Sequence, residues 1–317
     1  MIELDSIDKL AASCLEGYLV RKDLVRTFSR QFPVPTYVVE FLLGRYCAST
    51  DPEAIEEGLK IVERQLKDRT VHAGDEELFK SRARERGEVK VIDLITARLD
   101  AKTDSYLATL PSLRLNDVRI EPELVGNHER MLTGGFYAEI TLAYDSVIAQ
   151  EKSGRPFGVQ TLREIQLSQR DVLHILAEAR KRFSTADWKA FLLRSVGIES
   201  AGLSERQVNA FLLRIVPFVE RNYNMVELGP RGTGKSHLYQ QVSPYAHLIS
   251  GGKATVAKMF VNNASGQRGL VCLYDVVCFD EISGISFDQK DGVNIMKGYM
   301  EPGEYHSVVL KLFHEAS

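Results

Sequence analysis

The octapeptide Gly229-Pro230-Arg231-Gly232-Thr233-Gly234-Lys235-Ser236 constrains this chain more than any other stretch. It satisfies G-x-x-x-x-G-K-[ST], the spacing of a phosphate-cradling loop between a strand and a helix. Glycines there let the backbone curl, so that successive amides face phosphate oxygens. Lys235 is expected to reach the β- and γ-phosphates of ATP, Ser236 to ligate Mg²⁺ through its hydroxyl, and the helix to add its positive end. The flanks agree: Tyr223 to Leu228 reads as the strand and His237 to Gln241 as the continuing helix. A chance match on a flexible glycine loop fits this context poorly.

A second motif complements the first. Asp275-Val276-Val277-Cys278-Phe279-Asp280-Glu281 reads as an apolar strand ending in two carboxylates. Asp280 is expected to hold Mg²⁺ directly or through water, and Glu281 to polarise the attacking water. The bland alternatives are an acidic strand-end cap, or metal binding without turnover. No guanine-reading Asn-Lys-x-Asp segment is evident, which disfavours a GTPase. A small-molecule kinase is conceivable, but the vicinal pair after an apolar strand favours ATP hydrolysis coupled to mechanical work.

The rest of the chain is ordinary in composition. Its 317 residues are 44% hydrophobic and 26% charged, with a net charge of −3. That balance neither implies nor excludes a nucleic-acid partner. No apolar run is long enough for a membrane helix, and the start lacks a basic signal-peptide head, so no membrane association and a cytoplasmic location are expected. Cys14, Cys47, Cys272 and Cys278 lack metal-ligand spacing and read as reduced thiols.

Periodicity suggests four parts. Residues 1–110 read as mainly helical, with Asp51-Pro52 opening a helix that carries Ile55, Leu59, Val62 and Leu66 on one side. Val89 to Leu99 fits a strand or a helix equally. Lys80 to Arg86 is the densest basic stretch, either a nucleic-acid contact or a solvated helix face. Residues 111–167 read as a small, mainly β region, associated with DNA or with assembly. It has a turn at Asn116-Asp117 and strands at Phe136 to Tyr144 and from Phe157 to Leu167. Residues 168–216 read as a helical connector that starts the nucleotide module, with Val208, Phe211, Leu212, Ile215 and Val216 as one packing face. Residues 217–317 read as a partial P-loop ATPase core. The expected fold class is thus α/β and mixed, a P-loop NTPase core preceded by a helical region and a small β region.

The two motifs, together with Ser250 to Lys258 and Phe287 to Met300, resemble the BrxL family, the Lon-like AAA+ proteins of bacterial BREX phage-defence systems. They also resemble the core of MCM-type replicative helicases. The resemblance implies an AAA+ ATPase that binds ATP and Mg²⁺, associates with DNA, forms homo-oligomeric rings and works with other BREX components. It places Gly251 to Asn263 and Gly266 to Gly269 in insertions of the core, with Lys253, Lys258 and Arg268 as DNA contacts or as surface residues. The match fades near Glu304. No sensor asparagine, arginine finger, helical lid or Lon-type Ser-Lys dyad can be placed in the short stretch after Glu281. A core incomplete at its C-terminus, impaired turnover, no protease activity and a separate C-terminal polypeptide are therefore expectations. The competing reading is a non-catalytic DNA-binding or assembly fragment with a vestigial nucleotide site.

Overall fold

The computed structural model describes residues 4–49, 51–165, 172–230, 232–250, 253–254, 259–260, 269–280, 286–287, 297–300, 304–306 and 311–313. The chain forms two compact units, Met1–Gly197 and Ile198–Ser317.

The first unit begins with five helices: α1 (Ser6–Cys14), α2 (Lys22–Ser29), α3 (Thr36–Tyr46), α4 (Pro52–Arg69) and α5 (Glu76–Arg86). Asp51 caps α4 by accepting the Ala54 amide at 3.3 Å, and Pro52 takes the first helical position. The apolar side expected for α4 is buried at Ile55, Val62 and Leu66, against Val38, Leu42 and Leu43 of α3. These two helices approach closely. A Cβ built on Gly58 would lie 2.1 Å from the Tyr46 carbonyl oxygen.

Five strands follow: β1 (Glu88–Asp100), β2 (Ser105–Leu110), β3 (Leu115–Ile120), β4 (Phe136–Tyr144) and β5 (Phe157–Glu164), with the short helix α6 (Pro122–Gly126) between β3 and β4. They close into a barrel in the order β1-β2-β3-β5-β4. The long β1 pairs antiparallel with both β2 and β4, while β3 meets β5 in parallel. This is a five-stranded barrel of the OB-fold type. Val91, Ile95, Val118, Ile140 and Leu142 fill it, and Val125 of α6 packs on the same core.

The β region therefore starts at Glu88, inside the stretch expected to be mainly helical. Val91, Ile92 and Asp93 are buried in succession because β1 is a wall between two cores. Val91 faces the barrel core and Ile92 the helical core, so the alternation that marks a half-exposed strand is lost. The turn expected at Asn116-Asp117 is not there either: both residues lie within β3, and the reversal occurs at Arg114, whose φ is 52°.

Asp93 is the most buried carboxylate among the described residues. It accepts hydrogen bonds from the Ser112 hydroxyl at 2.7 Å and the Ser112 amide at 3.0 Å, pinning the β2–β3 connection to β1. Burial outweighs these bonds and pushes its carboxyl up to about 6.

Two further helices complete this unit, α7 (Leu173–Lys181) and α8 (Thr185–Ser195). Arg194 of α8 reaches Asp5 at 2.8 Å and Asp8 at 3.1 Å beside α1. These contacts tie α8, in the stretch read as a helical connector, to the start of the chain.

The second unit holds α9 (Glu205–Leu213), α10 (Lys235–Gln241), β6 (Ala246–Ser250), β7 (Lys253–Ala254), β8 (Val276–Asp280), β9 (Ser286–Phe287), β10 (Glu304–His306) and β11 (Lys311–Phe313). Ser204 and Gln207 form a reciprocal capping box at the start of α9. The packing face expected on α9 is half-buried at most, since no α9 residue is fully buried. β6 and β8 are parallel, with Ala246 opposite Val276 and Ser250 opposite Asp280. Met259, Phe260, Leu270, Val271 and Tyr274 form the core of this unit.

Two outcomes test this packing. Gly58→Ala, which in an exposed helix would be stabilising, should instead destabilise by about 1–3 kcal/mol, because the new methyl meets backbone; urea denaturation of the purified variant reads this. The native carboxyl of Asp93 holds its proton more tightly than its ordinary value of 3.8 allows. Its contribution to stability is therefore greatest below pH ~4 and is lost as pH rises to ~6. The stability difference between wild type and Asp93→Asn should change across that window and be flat above it.

Candidate nucleotide site

Two glycines shape the loop that carries the phosphate-binding motif. Gly232 has φ 80° and Gly234 has φ 73°, both in the left-handed region, and among the described residues no group crowds either position. They are needed for backbone conformation rather than for space. Gly234 is the N-cap of α10, so Lys235 and Ser236 are its first two residues. The Lys235 ammonium lies back over the loop, donating to the Gly229 carbonyl at 3.1 Å, the Pro230 carbonyl at 2.6 Å and the Thr233 hydroxyl at 3.2 Å. Thr233 itself donates to the Pro230 carbonyl at 3.2 Å.

The parallel ladder brings the second motif to the first. Asp280 ends β8, and its Oδ2 accepts a hydrogen bond from the Ser236 hydroxyl at 2.8 Å. Two candidate metal-ligating oxygens, far apart in sequence, are thus in contact. On the same strand, burial pushes the Cys278 thiol up to about 11, with the Asp280 charge adding to the shift. Cys278 is therefore a protonated packing residue, as Cys47 is for the same burial reason. All four cysteines are free.

The arginine that steadies this loop escapes a motif search. Arg214, just after α9, is buried, stacks over the Phe211 ring at 4.8 Å, and forms a forked pair with Glu227. Its third nitrogen donates to the Thr233 carbonyl at 3.2 Å, inside the loop. The Tyr239 hydroxyl of α10 donates to the Arg214 carbonyl at 3.4 Å, and the Tyr239 ring stacks on Phe218 at 5.7 Å. One side chain therefore ties the segment before the loop to the loop itself. Its only sequence signal is an arginine in an otherwise apolar helix end.

One expected element is absent as drawn. Residues 223–230 form no ladder with another described strand, and Val226 and Leu228 are exposed at 67% and 89%. A strand exists only where a neighbour takes up its amides and carbonyls, and β6 and β8 pair with each other. Arg231 and Glu281 lie outside the described residues. So do Gly251, Gly252, Lys258 and Arg268, while of Lys253 only the backbone, in β7 paired with β9, is described.

The fold and this arrangement define a mixed α/β protein with an AAA+-type ATPase domain after a separate N-terminal region. Residues 157–317 match the family model described as the ATPase domain of Lon-like protease BrxL-like proteins. Residues 13–144 match that of the N-terminal part of the BREX system Lon protease-like protein BrxL. The chain belongs to the BrxL family. It is 45% identical over 299 residues to a Lon-like protease BrxL of Escherichia coli O9:H4 (strain HS), an alignment that covers 94% of this chain and 43% of that protein. It is 40% identical over 289 residues to a Lon-like protease BrxL of Bacillus cereus (strain H3081.97), covering 91% and 42%. The chain thus spans less than half the length of the curated relatives it matches. Among the described residues no helix is long and apolar enough to cross a membrane.

The Arg214–Glu227 pair makes a prediction about stability. Arg214→Met leaves the Glu227 carboxylate without its partner and should destabilise the second unit. The double variant Arg214→Met/Glu227→Met should be milder, since it removes both charges. Denaturation of the two proteins side by side checks the order; a double variant worse than the single one would contradict it.

Proposed function

We propose that this chain is an ATP- and Mg²⁺-binding AAA+ module of a BREX phage-defence system that couples nucleotide binding or hydrolysis to DNA binding. The observation that carries the nucleotide half is the 2.8 Å contact between the Ser236 hydroxyl and the Asp280 carboxylate at the mouth of the glycine loop. A hydroxyl and a carboxylate on adjoining secondary elements are the donor pair a phosphate-bound Mg²⁺ takes in P-loop proteins. Bound there, the ion would neutralise charge that builds on the β- and γ-phosphates.

The remaining roles fall to this chain's own groups. The amides of Gly229, Gly232, Thr233 and Gly234 would face phosphate oxygens, with Pro230, which has no N–H, shaping the loop, and we assign Arg231 to the same loop by its place in the motif. Lys235 would exchange its three loop acceptors for β- and γ-phosphate oxygens, a small swing because its ammonium already lies over the loop. Glu281, next along the chain after Asp280, would orient and deprotonate the attacking water.

The family supports the setting. The matched relatives carry the Lon-like name and the N-terminal family model the BREX name, and by likeness we assign this chain an MCM-like ring-forming core, with homo-oligomerisation and other BREX components as partners. The N-terminal unit, with its OB-type barrel, is our candidate for the DNA-associated part, since barrels of this topology often bind oligonucleotides.

Binding of a labelled ATP analogue with Mg²⁺, compared between wild type and Lys235→Ala, tests the nucleotide half. Saturable binding that is lost in the variant is the expected result. A folded wild-type chain that binds no analogue would overturn it and leave the reading of a non-catalytic DNA-binding or assembly fragment.

A further inference from the structure

The densest basic stretch in the sequence is not where positive charge converges in space. On α5, Lys80 pairs with Glu77 at 2.7 Å and the Arg82 guanidinium lies 5.4 Å from the Phe79 ring, so half of that stretch is occupied locally. A different cluster forms where the helices meet the barrel. Glu139 of β4 is approached by three guanidinium groups from three other elements. Arg69 of α4 is at 2.7 Å, Arg45 of α3 at 3.6 Å and Arg163 of β5 at 3.9 Å.

One carboxylate cannot neutralise three guanidinium ions. Arg69 makes the hydrogen bond to Glu139 and its side chain is 26% exposed; the other two sit at longer range and keep 40% and 55% of their side-chain surface in solvent. Exposed pairs at such distances add little to stability, and the three like charges repel one another. Stability therefore does not explain why they are held together. They are also held in place: Arg163 lies 5.6 Å from the Phe41 ring and Arg45 lies 5.3 Å from the Tyr46 ring. Gln65 donates to the Tyr46 hydroxyl at 2.7 Å, anchoring that ring. Preorganised guanidinium forks with two charges left uncompensated among the described residues suit a ligand with repeated tetrahedral oxyanions.

The alternative face of the barrel is less suitable. On β3, Asn116 and Asp117 are both exposed, the latter acidic. Arg119 is turned onto the Arg155 and Pro156 carbonyls, at 2.8 and 3.4 Å.

We propose that Arg45, Arg69 and Arg163, gathered around Glu139 at the seam of α3, α4, β4 and β5, form a docking site for the phosphodiester backbone of DNA. The site reads no bases, so its contribution is independent of sequence. This rests on the DNA half of the proposed function and gives that reading a location.

The test uses the full chain and a short fluorescein-labelled mixed-sequence DNA, as a duplex and as a single strand, with binding followed over a range of KCl concentrations. For the duplex, Arg45→Gln and Arg163→Gln should each weaken binding at low salt. Each should also flatten the slope of log K against log salt by about one, and the double variant by about two. Arg163→Lys, which keeps the charge, should retain most of the slope. Arg84→Gln on α5 should leave it unchanged, and thermal melts confirm that each variant is folded. Wild-type binding with the same slope in the folded double variant would overturn this inference alone, placing the contacts elsewhere. Binding lost equally in Arg163→Lys would also overturn it, as the mark of a purely structural role. Binding confined to the single strand, with a salt slope that the double variant leaves unchanged, would overturn it as well. A folded wild-type chain that retains neither DNA form at the lowest salt would overturn both this inference and the DNA half of the proposed function.

Discussion

The chemistry proposed for the second unit depends on one parallel ladder. β6 and β8 run side by side with Ser250 opposite Asp280, and that register fixes how far Asp280 projects at the end of its strand. The loop before α10 fixes Ser236, through two glycines that alone among common residues take its left-handed turns without cost. The hydrogen bond between these residues joins the two pieces. A slip of one residue along the ladder would turn Asp280 to the opposite face, since strand side chains alternate. Arg214 acts on the other flank, binding Glu227 and a loop carbonyl at once, so the loop is supported from both sides.

The first unit is organised around a shared wall. β1 contributes Val91 and Ile95 to the barrel core and Ile92 to the helical core, so barrel and helices bury each other's surface. Asp93 is the polar exception in that wall. Its bonds to Ser112 fix the β2–β3 connection, and the cost is a buried carboxyl that resists ionisation. The seam between the same two cores is where Arg45, Arg69 and Arg163 meet around Glu139. Joining helices to a barrel thus also assembles a charge cluster that neither part holds alone.

What was legible in the sequence had a short-range physical cause. The glycine loop, the cap at Asp51-Pro52 and the strand Phe136 to Tyr144 each depend on neighbours a few residues away, and each lies where periodicity or motif put it. β1 was ambiguous because burial on both sides erases alternation. The barrel's closure was invisible because β3 meets β5 across a long connection. At the candidate site, the loop and Asp280 were readable as motifs, whereas Arg214 works through partners distant along the chain. The arginine cluster was hidden for the same reason: Arg45, Arg69 and Arg163 come from three segments far apart along the chain. The expected strand over Tyr223 to Leu228 fails in the opposite way. Its apolar pattern is right, but a ladder needs a partner, and no described strand supplies one.

The most direct measurement is the Mg²⁺ dependence of ATP affinity in the wild-type chain and in Asp280→Asn, by isothermal titration at fixed ionic strength. If Ser236 and Asp280 hold the ion against the phosphates, wild-type affinity rises steeply with Mg²⁺. The variant then keeps its metal-free affinity and loses most of that rise. The same Mg²⁺ dependence in both proteins would contradict the claim that the ladder delivers Asp280 to a metal-assisted nucleotide site.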